Sequence, residues 1–173
     1  MEILRLGGRV SLSDESTEGD TAMSAGLDPV RKAVLIDMAY EIGGQGLAEF
    51  PHMLRAIRVG NWELAVSELR NSALYSQVPT RENMNCEMLR TGLWPLGIIS
   101  AEQLIKSHEG LILKAQPDKK GKWAIGYGHD IVPPAGNALF CTLEDAEAWF
   151  QGDFSLAESR AKADLGQDAW GQD

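Results

Sequence analysis

The chain has 173 residues, 44% of them apolar and 24% charged, which is enough for one buried core or two tightly coupled lobes. Its 16 basic and 25 acidic side chains leave a formal charge of −9, which excludes a general electrostatic attraction to nucleic acid or to an anionic membrane surface. Cys86 and Cys141 have no metal-ligand spacing and read as two free thiols of a protein folded in a reducing compartment.

The start, Met1 to Gly8, is too short and too interrupted for a signal peptide or a membrane span. Residues 1–26 lack apolar periodicity and are rich in Gly, Ser, Asp and Glu, so a flexible arm is expected there. At Leu27 the character changes. Asp28 and Pro29 form a helix start, an N-cap followed by proline at the first helical position. The run Val30, Ala33, Val34, Leu35, Ile36, Met38, Ala39 and Ile42 is apolar almost all round, which predicts a helix buried in the core and ended by Gly43-Gly44.

Further helices follow at short intervals. One is expected over Pro51–Val59 and closed by Gly60; another is capped by Asn61, with Trp62, Ala65, Val66 and Leu69 at helical spacing. Pro79 opens a third, carrying Met84, Met88 and Leu89 and ending at Gly92, and Ser100 caps a fourth with Leu104, Ile105 and His108 near one face. After Gly110 the pattern shortens to strand length. Leu111–Ala115 and Trp123–Gly128, separated by the turn residues Pro117 to Gly121, predict a β-hairpin. Thr142 and Asp145 then cap a long helix reaching Leu165, with Gly152 weakening its middle. The expected division is a flexible arm over 1–26, a helical lobe over 27–108, a small β-hairpin lobe over 109–141, and a long connecting helix with its tail over 142–173. No internal repeat is present.

Glu109 ends the helix before the hairpin, and Asp118 lies in the hairpin turn. Two carboxyl groups flanking a glycosidic bond can divide the chemistry: one donates a proton to the leaving oxygen, the other activates water or stabilises the sugar cation. The pair alone is weak evidence, because an Asp in such a turn is usually there for turn geometry.

The wider string carries more. His108-Glu109-Gly110-Leu111, then Asp118, then Trp123-Ala124-Ile125-Gly126-Tyr127-Gly128-His129 resembles the phage lysozyme, or endolysin, muramidases of glycoside hydrolase family 24. The gaps match that family's motif, with eight residues between Glu109 and Asp118 and five between Asp118 and Ala124. A second stretch, Leu27-Asp28-Pro29-Val30-Arg31 through Tyr40, Gly43, Phe50, Trp62, Pro79-Thr80-Arg81 and Arg90-Thr91-Gly92-Leu93-Trp94, is similar to the family's C-terminal helical lobe. Here that lobe precedes the catalytic string, so the resemblance implies a circularly permuted α+β lysozyme-like fold, joined through Pro95–Ser100 and covering about residues 27–165.

The resemblance implies roles. Glu109 would be the general acid, Asp118 the base that orients water, and Arg81 a partner holding Glu109 by a charge-assisted hydrogen bond. On residue type alone, Arg81 reads equally as a solvated arginine at a helix start. His129 and Asp153 would be a structural pair joining hairpin and long helix, and Tyr40, Glu41 and Gly128 would line the saccharide cleft. Tyr40 reads equally as a buried residue at a helix end. Ala124 stands where the family has a Thr whose hydroxyl positions the attacking water, and a methyl group cannot hydrogen-bond. Glu41 stands where relatives carry an amide. The substrate implied is bacterial peptidoglycan, cut with inversion between N-acetylmuramic acid and N-acetylglucosamine. No metal, cofactor, nucleic-acid partner or membrane insertion is implied. A monomer is expected, made in the host cytoplasm and released to the periplasmic wall by a holin. The alternative from Ala124 is a lysozyme-like module that binds peptidoglycan without turnover.

Overall fold

The computed structural model describes residues 26–43, 46–117, 121–134 and 139–172. Asp118, and all of the expected arm except Gly26, lie outside the described residues.

Asp28 opens helix α1 (Pro29–Ile42) by accepting hydrogen bonds from the amides of Val30 and Arg31, and Gly43 stops it. Residues on every side of α1 are buried, from Val30 to Ala39, so it forms the central rod of the core. A 3-10 turn (Leu47–Glu49) leads to α2 (Pro51–Arg58), α3 (Trp62–Arg70), α4 (Ala73–Gln77) and α5 (Pro79–Thr91). Helix α4 spans only five residues, too few for an apolar period to register in the sequence. Arg31 fastens α1 to the end of α5: its Nε donates to the Leu89 carbonyl at 2.8 Å, and its guanidinium lies 3.9 Å from the centroid of the Trp62 ring.

The chain then crosses an exposed connector into α6 (Ala101–Glu109), whose Leu104 and Ile105 are fully buried. Where the sequence predicts a hairpin, the structure has a three-stranded antiparallel sheet in the order β1 (Ile112–Pro117), β2 (Trp123–Gly126), β3 (His129–Ile131). The expected second strand ends at Gly126 and a further strand follows, because Gly126 and Gly128 both take positive φ, +67° and +81°, which folds the chain back so that Ile125 faces His129. Ala124 is set between Gln116 on β1 and Asp130 on β3.

Helix α7 (Leu143–Leu165) starts with the expected capping box and runs unbroken through Gly152. The short α8 (Gln167–Trp170) follows. Phe150, Ala157, Ala161 and Leu165 of α7, and Trp170 of α8, pack into the same core as α1 to α6. The architecture is α+β, mainly helical with a small sheet at one end. Cys86 is buried, Cys141 half-buried, and both are free thiols. Among the described residues no helix is long and apolar enough to cross a membrane.

Candidate active site

Three helices and one turn meet at Glu109. It is the last residue of α6, because Gly110 at φ +68° redirects the chain into β1. Leu104 and Ile105 anchor α6 in the core, so the helix end is held firmly and the carboxyl group projects toward α1 and α5. On the opposite side stands Gly128: a Cβ built there would lie 3.0 Å from Glu109 Oε2, and its φ of +81° is in the left-handed region. The left-handed φ favours glycine at 128, and a side chain there would press on the Glu109 carboxyl group.

Arg81, the third residue of α5, is 8% exposed. The reading of a solvated arginine at a helix start is therefore overturned. Its guanidinium is divided among three carboxyl groups. Nε and Nη2 form a two-pronged contact with Asp37 of α1, at 3.0 and 2.8 Å. Nη1 donates to Glu109 Oε1 at 2.7 Å and also to Glu41. Behind Arg81 the polar network continues: Asn85 Nδ2 donates to Asp37 Oδ2 at 2.9 Å, and His108 Nδ1 lies 3.0 Å from Asp37 Oδ1. Asp37, Glu82 and Asn85 are completely buried.

This arrangement keeps Glu109 suited to proton donation. Burial raises its pKa above the ordinary glutamate value; Arg81 opposes the rise, and the negative charges of Glu41 and Asp37 support it. One cation shared among three carboxyl groups cannot neutralise them all, so a proton on Glu109 relieves the excess. Because Oε1 already accepts from Arg81, Oε2, the oxygen turned toward Gly128, is the one free to carry a proton.

The walls around this point are built from aromatic and charged pairs. Tyr40 O–H donates to the Tyr127 carbonyl at 2.7 Å, tying the end of α1 to the β2–β3 turn. Its phenol pKa is raised, by burial first and then by the charges of Asp153 and Glu109. His129 Nδ1 lies 2.8 Å from Asp153 Oδ2, and the ring stacks on Trp149 with centroids 5.2 Å apart. That pairing joins β3 to α7, as expected. A recess of about 460 Å³ is lined by Glu41, Arg81, His108 and Glu109, and a second of about 430 Å³ by Tyr40, Gly128, His129 and Asp153. A larger recess of about 690 Å³, lined by Phe50, His52, Glu68, Asn71 and Gln77, includes none of these expected site residues.

Comparison with known proteins bears on the same segment. Residues 106–169 match the family model described as phage lysozyme. This segment is what the chain shares with phage lysozymes. Two proteins of Dictyostelium discoideum named probable T4-type lysozyme 1 and 2 are 29% and 31% identical to the chain, over 86 and 85 residues. The alignments cover 48% and 47% of this chain and 51% and 50% of the relatives. An endolysin of Acyrthosiphon pisum secondary endosymbiont phage 1 is 37% identical over 71 residues, 39% of this chain and 47% of that protein. The chain thus spans about half the length of the relatives it matches. No solved structure matches it.

The matched segment supplies Glu109, Ala124, Gly128, His129 and Asp153, whereas Tyr40, Glu41 and Arg81 come from α1 and α5, outside the matched span. The fold brings Arg81, Glu41 and Gly128 onto Glu109, and links Tyr40 to the same turn. Ala124 pairs with Gln116 and Asp130, so antiparallel register puts two polar side chains on its face of the sheet. Among the described residues, no group of three His, Cys, Asp or Glu side chains is arranged to hold a metal ion.

Sequence reasoning missed the buried group behind Arg81: Asp37, Glu82, Asn85 and the ring of His108. One signal was available. Asp37 is the lone charged residue between Ala33 and Ala39, a stretch buried throughout, and a buried charge requires a partner. Glu82 and Asn85, three apart on α5, carry no such mark, because α5 reads as an ordinary polar helix.

Proposed function

We propose that the chain is a peptidoglycan hydrolase of the muramidase type, cleaving the β-1,4 bond between N-acetylmuramic acid and N-acetylglucosamine. Glu109 donates its Oε2 proton to the leaving oxygen. Asp118 serves as the base that activates water, a role that rests on its place in the sequence string. With these roles the displacement proceeds with inversion. The observation that carries this reading is the Glu109 carboxyl group itself. It is half-buried, pinned through Oε1 to Arg81 at 2.7 Å, and turned through Oε2 to Gly128, where a Cβ would lie 3.0 Å away.

The same reading takes the chain order as a circular permutation. It is supported by the match confined to 106–169 and by the alignments that take in about half of each relative, since an alignment that keeps chain order follows only one half of a permuted chain. It also has the protein made in a bacterial host's cytoplasm and reaching the periplasmic wall after holin-type release.

The test compares the protein with Glu109→Gln on purified sacculi, reading new reducing ends, and on permeabilised Gram-negative cells, reading turbidity. Gln keeps the shape and loses the proton, so turnover is expected to fall about 10²–10⁴-fold. Equal activity of the two proteins overturns the assignment. Ala124 favours a second reading, a binding module without turnover. That module binds sacculi saturably, produces no reducing ends, and gains none in Ala124→Thr.

A further inference from the structure

Arg81 has five N–H donors in a rigid plane, and such a group can present any of its edges. What decides which edge faces Glu109 is Asp37. Its two oxygens take Nε and Nη2 at 3.0 and 2.8 Å, and Arg81 Nη2 also approaches the Asp37 carbonyl at 3.3 Å. Asp37 is itself fixed on its other sides, by Asn85 at 2.9 Å and His108 at 3.0 Å, and has no exposed surface. With those two nitrogens engaged, Nη1 is the nitrogen of Arg81 that reaches Glu109 and Glu41.

We propose that Asp37 is a positioning residue for Glu109, acting through Arg81: by holding the Nε–Nη2 edge it aims Nη1 at Oε1 and leaves Oε2 to carry the proton into the cleft. This rests on the acid role given to Glu109 above and specifies how that role is set. The sequence makes the inference checkable, because Asp37 lies in α1, far from α6 in the chain and outside the matched segment.

The titratable groups acting on Glu109 come from two elements: α1 supplies Asp37, Glu41 and the phenol of Tyr40, and α5 supplies Arg81. Glu82 of α5 and His108 of α6 act on Asp37 in turn. Burial raises the pKa of Asp37 and the His108 hydrogen bond and Arg81 lower it by more, so the carboxylate stays ionised. It is therefore a fixed negative charge beside the Glu109 network as well as a geometric clamp. Asp37→Asn keeps the side-chain size, removes the charge, and replaces one of the two acceptors with a donor.

The experiment follows the Glu109 side-chain carboxyl carbon by ¹³C NMR through a pH titration, in the full chain and in Asp37→Asn, with thermal melts to confirm folding. The Glu109 midpoint is expected to move down by about one unit, because a like charge is lost and Arg81 is freed to neutralise Glu109. On sacculi, kcat is expected to fall about 10- to 100-fold with KM changed less than about threefold, since the lost contact aims the acid rather than binding the sugar. Arg81→Lys supplies the second arm. Lysine has no fork for Asp37 to hold, so adding Asp37→Asn to it is expected to change kcat less than about twofold. An unmoved Glu109 midpoint, or the same loss of kcat with and without the Arg81→Lys change, overturns the proposal. A Tm loss alone, with midpoint and kcat unchanged, marks a merely structural residue and overturns it too. Should the unaltered chain release no reducing ends, the muramidase reading fails, and the NMR midpoint still decides whether Asp37 controls Glu109. If Asp37→Asn does not fold, Asp37→Ser removes the same charge and the two-oxygen grip on Arg81, and its Glu109 midpoint is read against the same expectation.

Discussion

Glu82 shows how far a single buried group departs from its behaviour in water. It is fully covered and lies beside Asp37, and burial followed by that like charge pushes its pKa from 4.5 up to about 7. Asn85 and Arg81 oppose the rise without cancelling it. Oε2 of Glu82 and Oδ1 of Asn85 are buried acceptors with no donor among the described residues, so a proton on Glu82 also removes one unsatisfied acceptor. The sign of the pH dependence follows. Between pH 4.5 and about 7 the folded chain holds the Glu82 proton and the unfolded chain releases it. Stability contributed by this group is therefore complete below 4.5 and is lost as pH rises toward 7. The total is of order 3 kcal/mol, from 1.36 kcal/mol per pKa unit. Urea melts from pH 4 to pH 8 are expected to show Glu82→Gln gaining on the unaltered chain as pH rises, by up to that amount. Parallel stability curves for the two proteins would refute this account.

At the scale of elements, α7 is held at both ends by different chemistry. At its start Thr142 Oγ1 accepts from the Asp145 amide at 3.0 Å, while Asp145 Oδ2 accepts from the Thr142 amide at 2.9 Å. At its end Arg58 of α2 donates through Nε to the Leu165 carbonyl and through Nη2 to the Asp164 carbonyl, both at 2.7 Å. These contacts explain why Gly152 does not break the helix. An isolated glycine costs about 1 kcal/mol in an exposed helix interior, and capping at both ends together with Phe150, Ala157 and Ala161 in the core outweighs it. Thr142→Ala is expected to cost about 1 kcal/mol and lower Tm by roughly 3 °C. Because Thr142 and Asp145 act as one box, Asp145→Ala added to it is expected to cost less than it does alone. Full additivity in the double variant would show that the box is not a unit.

Considered whole, the described chain closes on itself. The Leu27 amide donates to the Ala169 and Trp170 carbonyls at 3.0 and 3.2 Å, and a Cβ on Gly26 would fall 2.4 Å from the Gly171 Cα. The connector from α5 to α6, by contrast, runs along the surface with Leu93, Leu96 and Ile99 exposed. Joining the touching ends and cutting the exposed connector is therefore expected to leave the packing in place. A chain opened between Leu96 and Gly97, with residue 172 joined to Leu27, is expected to give the same far-UV spectrum and one cooperative transition, within several degrees of the original Tm. Its Glu109 midpoint is also expected to stay in place, since every group around Glu109 is retained. Loss of the cooperative transition would mean that the α5–α6 connector is needed for folding.

The same contrast separates what was legible in the sequence from what was not. Helix starts at Asp28, Asn61, Ser100 and Thr142 were readable because capping is local: the side chain and the amide it satisfies lie two or three residues apart. Glu109 and its string were readable because a fixed spacing along one strand pair carries them. The third strand, His129–Ile131, was hidden because two glycines of positive φ turn the chain back just before it. The groups that set the acid's behaviour were hidden for a different reason. Asp37, Arg81 and Glu109 lie 44 and 28 residues apart, counted from Arg81. Nothing in local pattern says that three carboxyl groups will share one guanidinium. Burial and charge around Glu109 exist only once α1, α5 and α6 pack together, so sequence alone determined where the carboxyl group and its string lie, and tertiary structure decided that Arg81 takes its Oε1 and leaves Oε2 facing Gly128.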